Sequence, residues 1–356
     1  MNDYLSRLEE LLTFAIEEHS SDLHISVGHP PTLRINGRLV PLIKMKKLFA
    51  DDTKGLAFAL MDDIQKEKFL REKEIDFSYN FQDKNRFRVN VFFQNNGISC
   101  ALRFVSSRIK SIEELNLPPA LYELTQHTQG LVLITGPSNQ GKSTTLAALV
   151  EEINNSRSEH IITIEDPIEY IFEDNRSIID QREVYHDTLS FPRALKSTFR
   201  QDPNVIMVGE MRDSETIAIT LTAAETGHLV FATLHTNSAS QTVHRIIDSF
   251  SAEQQNQIRA QLAGSLLGVI SQRLIPRIEG GLIPACEVML ITPAIRNLIR
   301  ENKIHEIPLV IETNIEKGMM SLNYVLARLV KNKEILLEDA LKVSLDPKEL
   351  KILISK

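Results

Sequence analysis

Cysteine is scarce in this chain of 356 residues, and the two that occur, Cys100 and Cys286, lie far apart. They form no C-x-x-C pair, so no zinc site is expected, and their small number is typical of a reducing compartment. We interpret both as small buried apolar residues. A continuous run of about 18 apolar residues is also lacking, which predicts no membrane-spanning helix. The first residues, MNDYLSRLEELL, lack the apolar segment of a signal peptide, so export is not expected.

An excess of positive charge is lacking as well. The formal net charge is −7 and the isoelectric point is about 5.9, which argues against a protein that coats nucleic acid. The hydrophobic fraction of 42% and the charged fraction of 24% are typical of a globular protein. Because 356 residues exceed the size of one ordinary core, we expect two domains.

The chain does contain a phosphate-binding pattern, 136-GPSNQGKS-143. In G-x-x-x-x-G-K-[ST], backbone N–H groups and a helix N-terminus bind phosphate, the lysine reaches the β- and γ-phosphates, and the hydroxyl binds Mg²⁺. The apolar run 131–135 predicts a strand before the loop, and 143–153 predicts a helix after it. We therefore predict a nucleoside triphosphate and Mg²⁺ site with contacts from Gly136, Pro137, Ser138, Asn139, Gln140, Gly141, Lys142, Ser143 and Thr144.

The part of the chain before this motif is predicted to form a small α+β domain, residues 1–105. Leucines at helical spacing predict a helix over 4–18. Asn36-Gly37 lies between alternating apolar residues and predicts a two-residue hairpin. Further strands are predicted at 75–81, 86–94 and 98–105. The polar residues 106–117 precede Pro118-Pro119, and we interpret them as an inter-domain linker.

Residues 118–356 show a different pattern, in which apolar strand candidates alternate with helical stretches. This alternation predicts an α/β domain with a mainly parallel sheet. Because ligands bind outside the carboxyl ends of such strands, the polar clusters that follow the strands are expected to converge on one site. The strand candidates are 131–135, 161–165, 205–209 and 229–234, and the clusters are GPSNQGKS, EDPIEY, GEMRD and HTN.

Acidic residues in two of these clusters are candidates for water activation and metal binding. Glu210 follows the apolar run VIMVG, which is a Walker B arrangement, although a helix-capping carboxylate is the alternative. Glu165, Asp166 and Glu169 form a second acidic cluster. We expect at least one of these three to be structural, and we favour Glu169 for the site.

Histidines and arginines are further candidates. His228 and His235 flank the strand candidate 229–234, and only His235 lies at its carboxyl end, where it is placed to sense a γ-phosphate. Arg88 and Arg103 lie in adjacent predicted strands of the first domain. A solvated sheet face is the simpler explanation of these two arginines.

Several blocks resemble the type IV pilus retraction ATPases, a family with PilT and PilU branches; they are GKSTTLAAL, ITIEDPIEY, QREV, VGEMRD, AETGHLVFATLHTN and AIRNLIRE. The resemblance implies a PAS-like N-terminal domain and a RecA-like ATPase domain, which bind ATP between them and assemble into a homo-hexamer. It also implies a cytoplasmic location at the inner face of the inner membrane. There the ring would act through an inner-membrane platform protein and remove pilin from the pilus during twitching motility.

The resemblance also implies roles for matching residues. Lys142 and Ser143 match the Walker A pair, and Glu210 matches the catalytic Walker B glutamate. Asp166 and Glu169 lie in the Asp box, His228 and His235 in the His box, and the two arginines match residues of the N-terminal domain that reach nucleotide. The implied catalytic residues are Glu210, Glu169, His235, Arg88 and Arg103; the implied metal ligands are Ser143, Asp166 and Glu210; and His228 joins the nucleotide contacts.

Three features of the sequence concern the branch of the family that the chain resembles and the rate at which it would hydrolyse ATP. The family usually has T-G-S-G-K where this chain has Ser138-Asn139-Gln140-Gly141-Lys142. Asparagine tolerates a positive φ better than most residues, so we expect nucleotide binding to survive and catalytic speed to be the property at stake. The tetracysteine motif of extension and type II secretion ATPases is absent from the sequence. GEMRD and AIRNLIRE resemble PilT, whereas 272-QRLIP-276 and the final SLDPKELKILISK resemble PilU.

Alternative functions remain open. The first is a retraction motor that hydrolyses ATP. The second is an accessory PilU-like ring that binds ATP, hydrolyses it weakly and assists a PilT partner, or a related secretion or pilus-assembly ATPase. The third, a RecA-like nucleic-acid translocase, is disfavoured by the acidic composition and the lack of an aromatic-plus-basic stripe, so no specific nucleic-acid partner is expected.

Overall fold

We describe a computed structural model of the chain that covers residues 2–35, 38–82, 85–95, 97–105 and 108–355. The chain divides into two compact units. The first contains Met1–Arg108 together with Pro167–Ile171, and the second contains Ile109–Asp166 and Phe172–Lys356. No helix in the described ranges is long and apolar enough to cross a membrane.

The first unit is an α+β layer, as the sequence predicts. Its described strands form one antiparallel sheet in the order β3-β2-β1-β6-β5-β4, with helices packed on one face. The elements are α1 (Asn2–Glu17), β1 (Asp22–Ile25), β2 (Thr32–Ile35), β3 (Arg38–Pro41), α2 (Ala50–Leu60), α3 (Asp63–Glu72), β4 (Glu74–Phe81), β5 (Asn85–Gln94) and β6 (Gly97–Val105).

Alternation of side chains explains why this sheet has a buried and an exposed face. On β5, Phe87, Val89 and Val91 are buried, whereas Arg88 between them is exposed. The predicted hairpin corresponds to the antiparallel pair of β2 and β3, and its Asn36-Gly37 lies outside the described residues. The helices α2 and α3 were not predicted.

The second unit is an α/β layer built on a mixed sheet. In the described residues the strand order is β13-β12-β7-β11-β10-β8-β9, parallel throughout except for the antiparallel β13. Its first elements are α4 (Ala120–Thr125), β7 (Gly130–Thr135), α5 (Lys142–Ser156), β8 (His160–Glu165), β9 (Ile178–Glu183), α6 (Phe191–Thr198), β10 (Val205–Val208), α7 (Ser214–Glu225) and β11 (Leu229–Leu234). They are followed by α8 (Ala239–Asp248), α9 (Ala252–Ser265), β12 (Leu266–Pro276), β13 (Leu282–Leu290), α10 (Pro293–Arg300), α11 (Ile307–Thr313), α12 (Leu322–Lys331), α13 (Leu337–Val343) and α14 (Pro347–Ser355).

The four strands predicted from apolar runs are the neighbours β7, β11, β10 and β8 in the middle of this sheet. Every residue of β7, β10 and β11 is buried, because helices cover both faces. A second apolar cluster joins the far ends of β12 and β13 to α12, α13 and α14. The central strands are therefore a rigid platform whose carboxyl ends present loops on one edge.

The boundary between the units lies inside the predicted linker. Ser106 and Ser107 lie outside the described residues, and residues 109–117 group with the second unit. Ile112 and Leu117 are buried, so this stretch is packed rather than a free spacer. Residues 167–171 group with the first unit, where the carbonyl of Ile168 accepts hydrogen bonds from Ser78 Oγ and Arg86 Nε.

Candidate phosphate-binding site

The phosphate loop has the predicted strand–loop–helix setting. It runs from the end of β7 at Thr135 to Lys142, the first residue of α5. Gly136, Asn139 and Gly141 have φ values of 143°, 61° and 77°, so three loop residues adopt conformations that favour glycine. Asn139 stands in the left-handed region, where a short amide side chain is better tolerated than most others. The loop therefore keeps its tight shape without a glycine at position 139.

Lys142 is the cation of this loop. It is 8% exposed, and its ammonium group donates hydrogen bonds to the carbonyls of Gly136 and Pro137 at 2.9 and 2.8 Å. Its Nζ also lies 3.4 Å from Nδ1 of His235. The positive charge is thus held over the loop, where the phosphates of a nucleotide would bind.

Glu210 and His235 come from neighbouring strands. Main-chain hydrogen bonds hold the residues around Glu210, since Gly209 N donates to Ile164 O of β8 and Met211 N donates to Thr233 O of β11. The distance from Glu210 Oε1 to His235 Nε2 is 3.1 Å. Because an ammonium group only donates hydrogen bonds, Nδ1 of His235 accepts one from Lys142. The proton of the imidazole is therefore on Nε2, and this N–H donates a hydrogen bond to Glu210. Lys142, His235 and Glu210 therefore form a continuous chain of contacts.

Arg212 completes the surroundings of Glu210. Its Nη2 lies 2.9 Å from Glu210 Oε2, and its Nη1 lies 3.7 Å from Asp166 Oδ2. Burial raises the pKa of the Glu210 carboxyl, but the hydrogen bond and charge of Arg212, with His235, outweigh it and hold that pKa below its ordinary value. Glu210 is accordingly ionised at neutral pH and bonded through both oxygens.

The acidic residues that follow β8 have different surroundings. Glu165 is 7% exposed, and its Oε1 accepts hydrogen bonds from Thr163 Oγ1 and Gln181 Nε2. Asp166 faces Arg212. Glu169 lies in the segment that groups with the first unit, where its Oε1 is 3.6 Å from Arg88 Nη1.

The two predicted arginines lie side by side in the first unit. Arg88 on β5 and Arg103 on β6 are directly opposite each other in register, and both side chains are exposed. Like charges in this position repel each other. Asp22 offsets the repulsion from one side by accepting a 2.9 Å hydrogen bond from Arg103 Nε, and Glu169 offsets it from the other.

The structure does not bring His228 to the phosphate loop of its own chain. His228 precedes β11, and its carbonyl accepts a hydrogen bond from the N–H of Gly130 at the start of β7. Its ring Nδ1 is 3.0 Å from the carbonyl oxygen of Ala223. Because β7 and β11 are parallel over their full length, His228 lies at the opposite edge of the sheet from Gly136.

Two residues at this site were not among the predicted ones. Arg212 follows Glu210 by two positions, and the GEMRD block contains it, but nothing in the sequence pairs it with both Glu210 and Asp166. Gln272 on β12 is 2% exposed and contacts Gln140 of the loop and Thr145 of α5. Its strand was not predicted, and although the QRLIP block contains Gln272, nothing in the sequence places that residue beside the phosphate loop.

The donor set fits Mg²⁺ only when a nucleotide supplies further oxygens. Ser143 lies in the first turn of α5, and Asp166 and Glu210 follow the adjacent strands β8 and β10. Hydroxyl and carboxylate oxygens are the protein ligands that Mg²⁺ prefers, and it is usually bound through one or two of them together with phosphates. Within the described ranges, no group of three or more His, Cys, Asp or Glu residues forms a metal cage of its own.

A phosphate loop that continues into a helix, with an ionised carboxylate on a nearby strand, defines a P-loop nucleotide-binding ATPase. Comparisons with known proteins narrow this class. The family model described as "Type II/IV secretion system protein" matches residues 4–340.

The curated relatives are similar over most of their length. The chain is 46% identical to "Type IV pilus retractation ATPase PilT" of Pseudomonas aeruginosa over 91% of this chain and 94% of that protein. It is 39% identical to "Type IV pilus ATPase PilU" of the same organism over 97% of this chain and 91% of that protein. The solved structure of "the Pilus Retraction Motor PilT and Bound ADP" superposes with a TM-score of 0.90 and 46% identity, covering 97% of this chain and 98% of that one.

The chain belongs to the Type II/IV secretion system protein family, and within it to the type IV pilus retraction ATPases. It is a nucleotide-binding ATPase. The sequence-based assignment to this family and the predicted α/β fold are confirmed.

Proposed function

We propose that the chain is the hexameric motor that powers type IV pilus retraction by ATP-driven domain closure. The observation that carries this proposal is the chain of contacts from Lys142 through His235 to Glu210 beside a glycine-bounded phosphate loop. Similarity to a pilus retraction ATPase over 91% of this chain supports the proposal that ATP hydrolysis at this site powers retraction.

Each residue of the contact chain has a chemical role in the proposed hydrolysis. Lys142 neutralises phosphate charge, and the backbone N–H groups of residues 138–144 bind phosphate oxygens. Glu210 orients a water molecule and accepts its proton, since its low pKa keeps it ionised. His235 donates a hydrogen bond from its Nε2–H to Glu210, keeps its own proton, and fixes the direction of the carboxylate. Mg²⁺, when bound with nucleotide through Ser143 and the nearby carboxylates, supplies further neutralisation of phosphate charge.

Further roles follow from the family. We propose that Arg88, Arg103 and Glu169 contribute to catalysis, with the arginines stabilising charge on the transferred phosphate. An arginine in this role is worth about 10³–10⁵ in rate. We propose that His228 contacts nucleotide only in the assembled ring, because the phosphate loop of the same chain lies at the opposite edge of the sheet from His228.

The partners and location are likewise proposals. We propose a homo-hexamer at the cytoplasmic face of the inner membrane, peripheral to the membrane through its partners. It would act on an inner-membrane platform protein and remove pilin. The helix α10 supports a partner-binding role distinct from hydrolysis: Ile295, Leu298 and Ile299 are buried on one side, whereas Arg300 is exposed on the other.

A second candidate is an accessory PilU-like ring that hydrolyses ATP weakly and assists a PilT partner. The Ser138-Asn139-Gln140 loop favours it, as does 39% identity to PilU over 97% of the chain. Hydrolysis by the purified chain alone and with a PilT-type partner separates the two, because an accessory ring is active only in the mixture.

Retraction is tested by separating it from hydrolysis. We expect Arg296→Glu to leave ATP turnover intact and to abolish twitching when it replaces the natural chain in cells, because α10 lies outside the phosphate site. The exposed Lys317→Glu is the matched control, which keeps both activities. Equal loss of turnover and twitching in Arg296→Glu would contradict a separate role for α10.

A further inference from the structure

The phosphate loop is attached to β12 by side chains that the family motif does not specify. Pairing of β7 with β12 ends at Thr135 and Ser271. Beyond that point no strand in the described part of the chain pairs with the edge of β12 that faces β7, and the phosphate loop lies beside that edge. A β-carbon at Gly136 would lie 2.5 Å from the carbonyl oxygen of Gln272, so the loop and β12 are in close contact.

Gln140 bonds to two residues of β12. Its side-chain Oε1 accepts a hydrogen bond from the N–H of Leu274 at 2.7 Å, and its carbonyl accepts one from Gln272 Nε2 at 2.7 Å. Gln272 in turn accepts a hydrogen bond from Thr145 Oγ1 in α5 at 2.8 Å. The middle of the loop and the start of the helix are therefore tied to the same strand.

The backbone around Gln140 explains why such a tie matters. Asn139 and Gly141, on either side of it, both have left-handed φ values of 61° and 77°. A short loop with alternating backbone regions is held in one shape only when its surroundings stabilise that shape. The strand β12 supplies this support because it is itself paired along its length with β13.

We propose that Gln140 is a positioning residue for nucleotide binding, and that its hydrogen bond from the N–H of Leu274 holds the phosphate loop in its binding shape before nucleotide arrives. The proposal rests on the phosphate loop being the nucleotide site. A serine at position 140 is too short to reach the N–H of Leu274, so the tie depends on the glutamine.

The physical consequence is a change in nucleotide affinity rather than in chemistry. A loop that is already ordered costs less conformational entropy on binding. Substrate and transition state benefit equally, so loss of the tie raises KM and leaves kcat unchanged. One hydrogen bond of ordinary net strength corresponds to a change of about 3- to 10-fold.

The test compares Gln140→Met, which keeps chain length and removes the acceptor, with Gln140→Ser, which shortens the side chain. Gln201→Met is the matched control, because Gln201 bonds to Ser197 in another part of the unit. The full-length ring of each variant is titrated with ADP, assayed for steady-state ATP hydrolysis, and melted without nucleotide.

We expect both position-140 variants to bind ADP about 3- to 10-fold more weakly, with an equal rise in KM for ATP. We expect kcat and the melting temperature without nucleotide to match Gln201→Met. Unchanged ADP affinity, a fall in kcat at constant KM, or a lower melting temperature without nucleotide in both variants would each overturn the proposal. Failure of the wild-type ring to bind ADP would instead refute the nucleotide site itself.

Discussion

Gly136 offers a sharp test of the phosphate loop, because alanine at this position conflicts with both the backbone and a neighbour. Gly136 has a φ of 143°, and an alanine β-carbon there would lie 2.5 Å from Gln272 O. That oxygen belongs to β12, which is paired with β13, so the strand does not yield easily. The loop must recede by about 0.9 Å to reach the 3.4 Å of ordinary van der Waals contact.

The expected effects are large on function and modest on stability. A misplacement of about 1 Å in a catalytic site costs on the order of 10²-fold in rate. The backbone conformation itself costs about 1–3 kcal/mol for a residue with a β-carbon. We therefore expect Gly136→Ala to fold, to lose about 10²-fold in ATP turnover, and to bind a fluorescent ADP analogue more weakly.

Gly28→Ala is the matched control. Gly28 has a φ of 84°, and a β-carbon there meets nothing within 4 Å. Gly28→Ala introduces a similar backbone strain but no steric clash with a neighbouring residue. We therefore expect its ATP turnover to remain near that of the wild type. Equal turnover in Gly136→Ala and Gly28→Ala would refute the claim that close contact with β12 sets the position of the loop.

Two further predictions concern the surroundings of Glu210. In Arg212→Met, burial dominates and the pKa of Glu210 rises, so the loss of kcat/KM on acidification starts at a higher pH than in the wild type; an unchanged pH profile would show that Arg212 does not control this carboxylate. The ion pair of Arg212 and Glu210 also affects stability, because it lowers the pKa of Glu210 in the folded state. Its contribution to the free energy of unfolding is fully present above the pKa that this carboxyl has in the unfolded chain, and it is lost as pH falls through the pKa in the folded protein. In His235→Ala, Glu210 loses its Nε2–H partner, and we expect ATP turnover to fall by about 10²–10³-fold with ADP affinity nearly kept. The exposed His244→Ala is the control, and equal turnover in the two variants would argue against a role for His235.

The sequence predicts the centre of the second unit well, because its strands are uninterrupted apolar runs. β7, β8, β10 and β11 are neighbours in the sheet, and the residues that follow them include Lys142, Glu210 and His235. The parallel arrangement also explains why only one of the two histidines reaches the loop, since His228 precedes β11 and His235 follows it.

The strands that the sequence does not reveal carry polar residues in their interiors. β12 contains Ser271, Gln272 and Arg273, all buried, and β13 contains the buried Glu287. Burial raises the pKa of Glu287, although the N–H of Ala239 at the start of α8 donates a hydrogen bond to it. Such residues interrupt the apolar pattern. The partners of Gln272 and Glu287 lie in the phosphate loop, α5 and α8, far away in sequence, so no local spacing identifies them. Strand β9 lies at the edge of the sheet and is polar, because one of its sides faces solvent.

The two cysteines pack in the core of the protein, as we interpreted them from the sequence. Cys100 and Cys286 are both buried and free, as predicted. Burial raises the pKa of each thiol to about 12. Both side chains therefore stay protonated at neutral pH and behave as small apolar core residues.

The most direct test of Glu210 as the residue that activates water is steady-state ATP hydrolysis by the purified protein, compared with its Glu210→Gln variant. The amide keeps the size of the side chain and removes its ability to accept a proton. We predict that the wild type turns over ATP, and that Glu210→Gln binds ATP but loses at least about 10²-fold in turnover. Equal turnover of ATP by both proteins would contradict a catalytic role for Glu210. A wild-type protein that binds ATP but hydrolyses none without a partner would contradict its function as a motor in its own right.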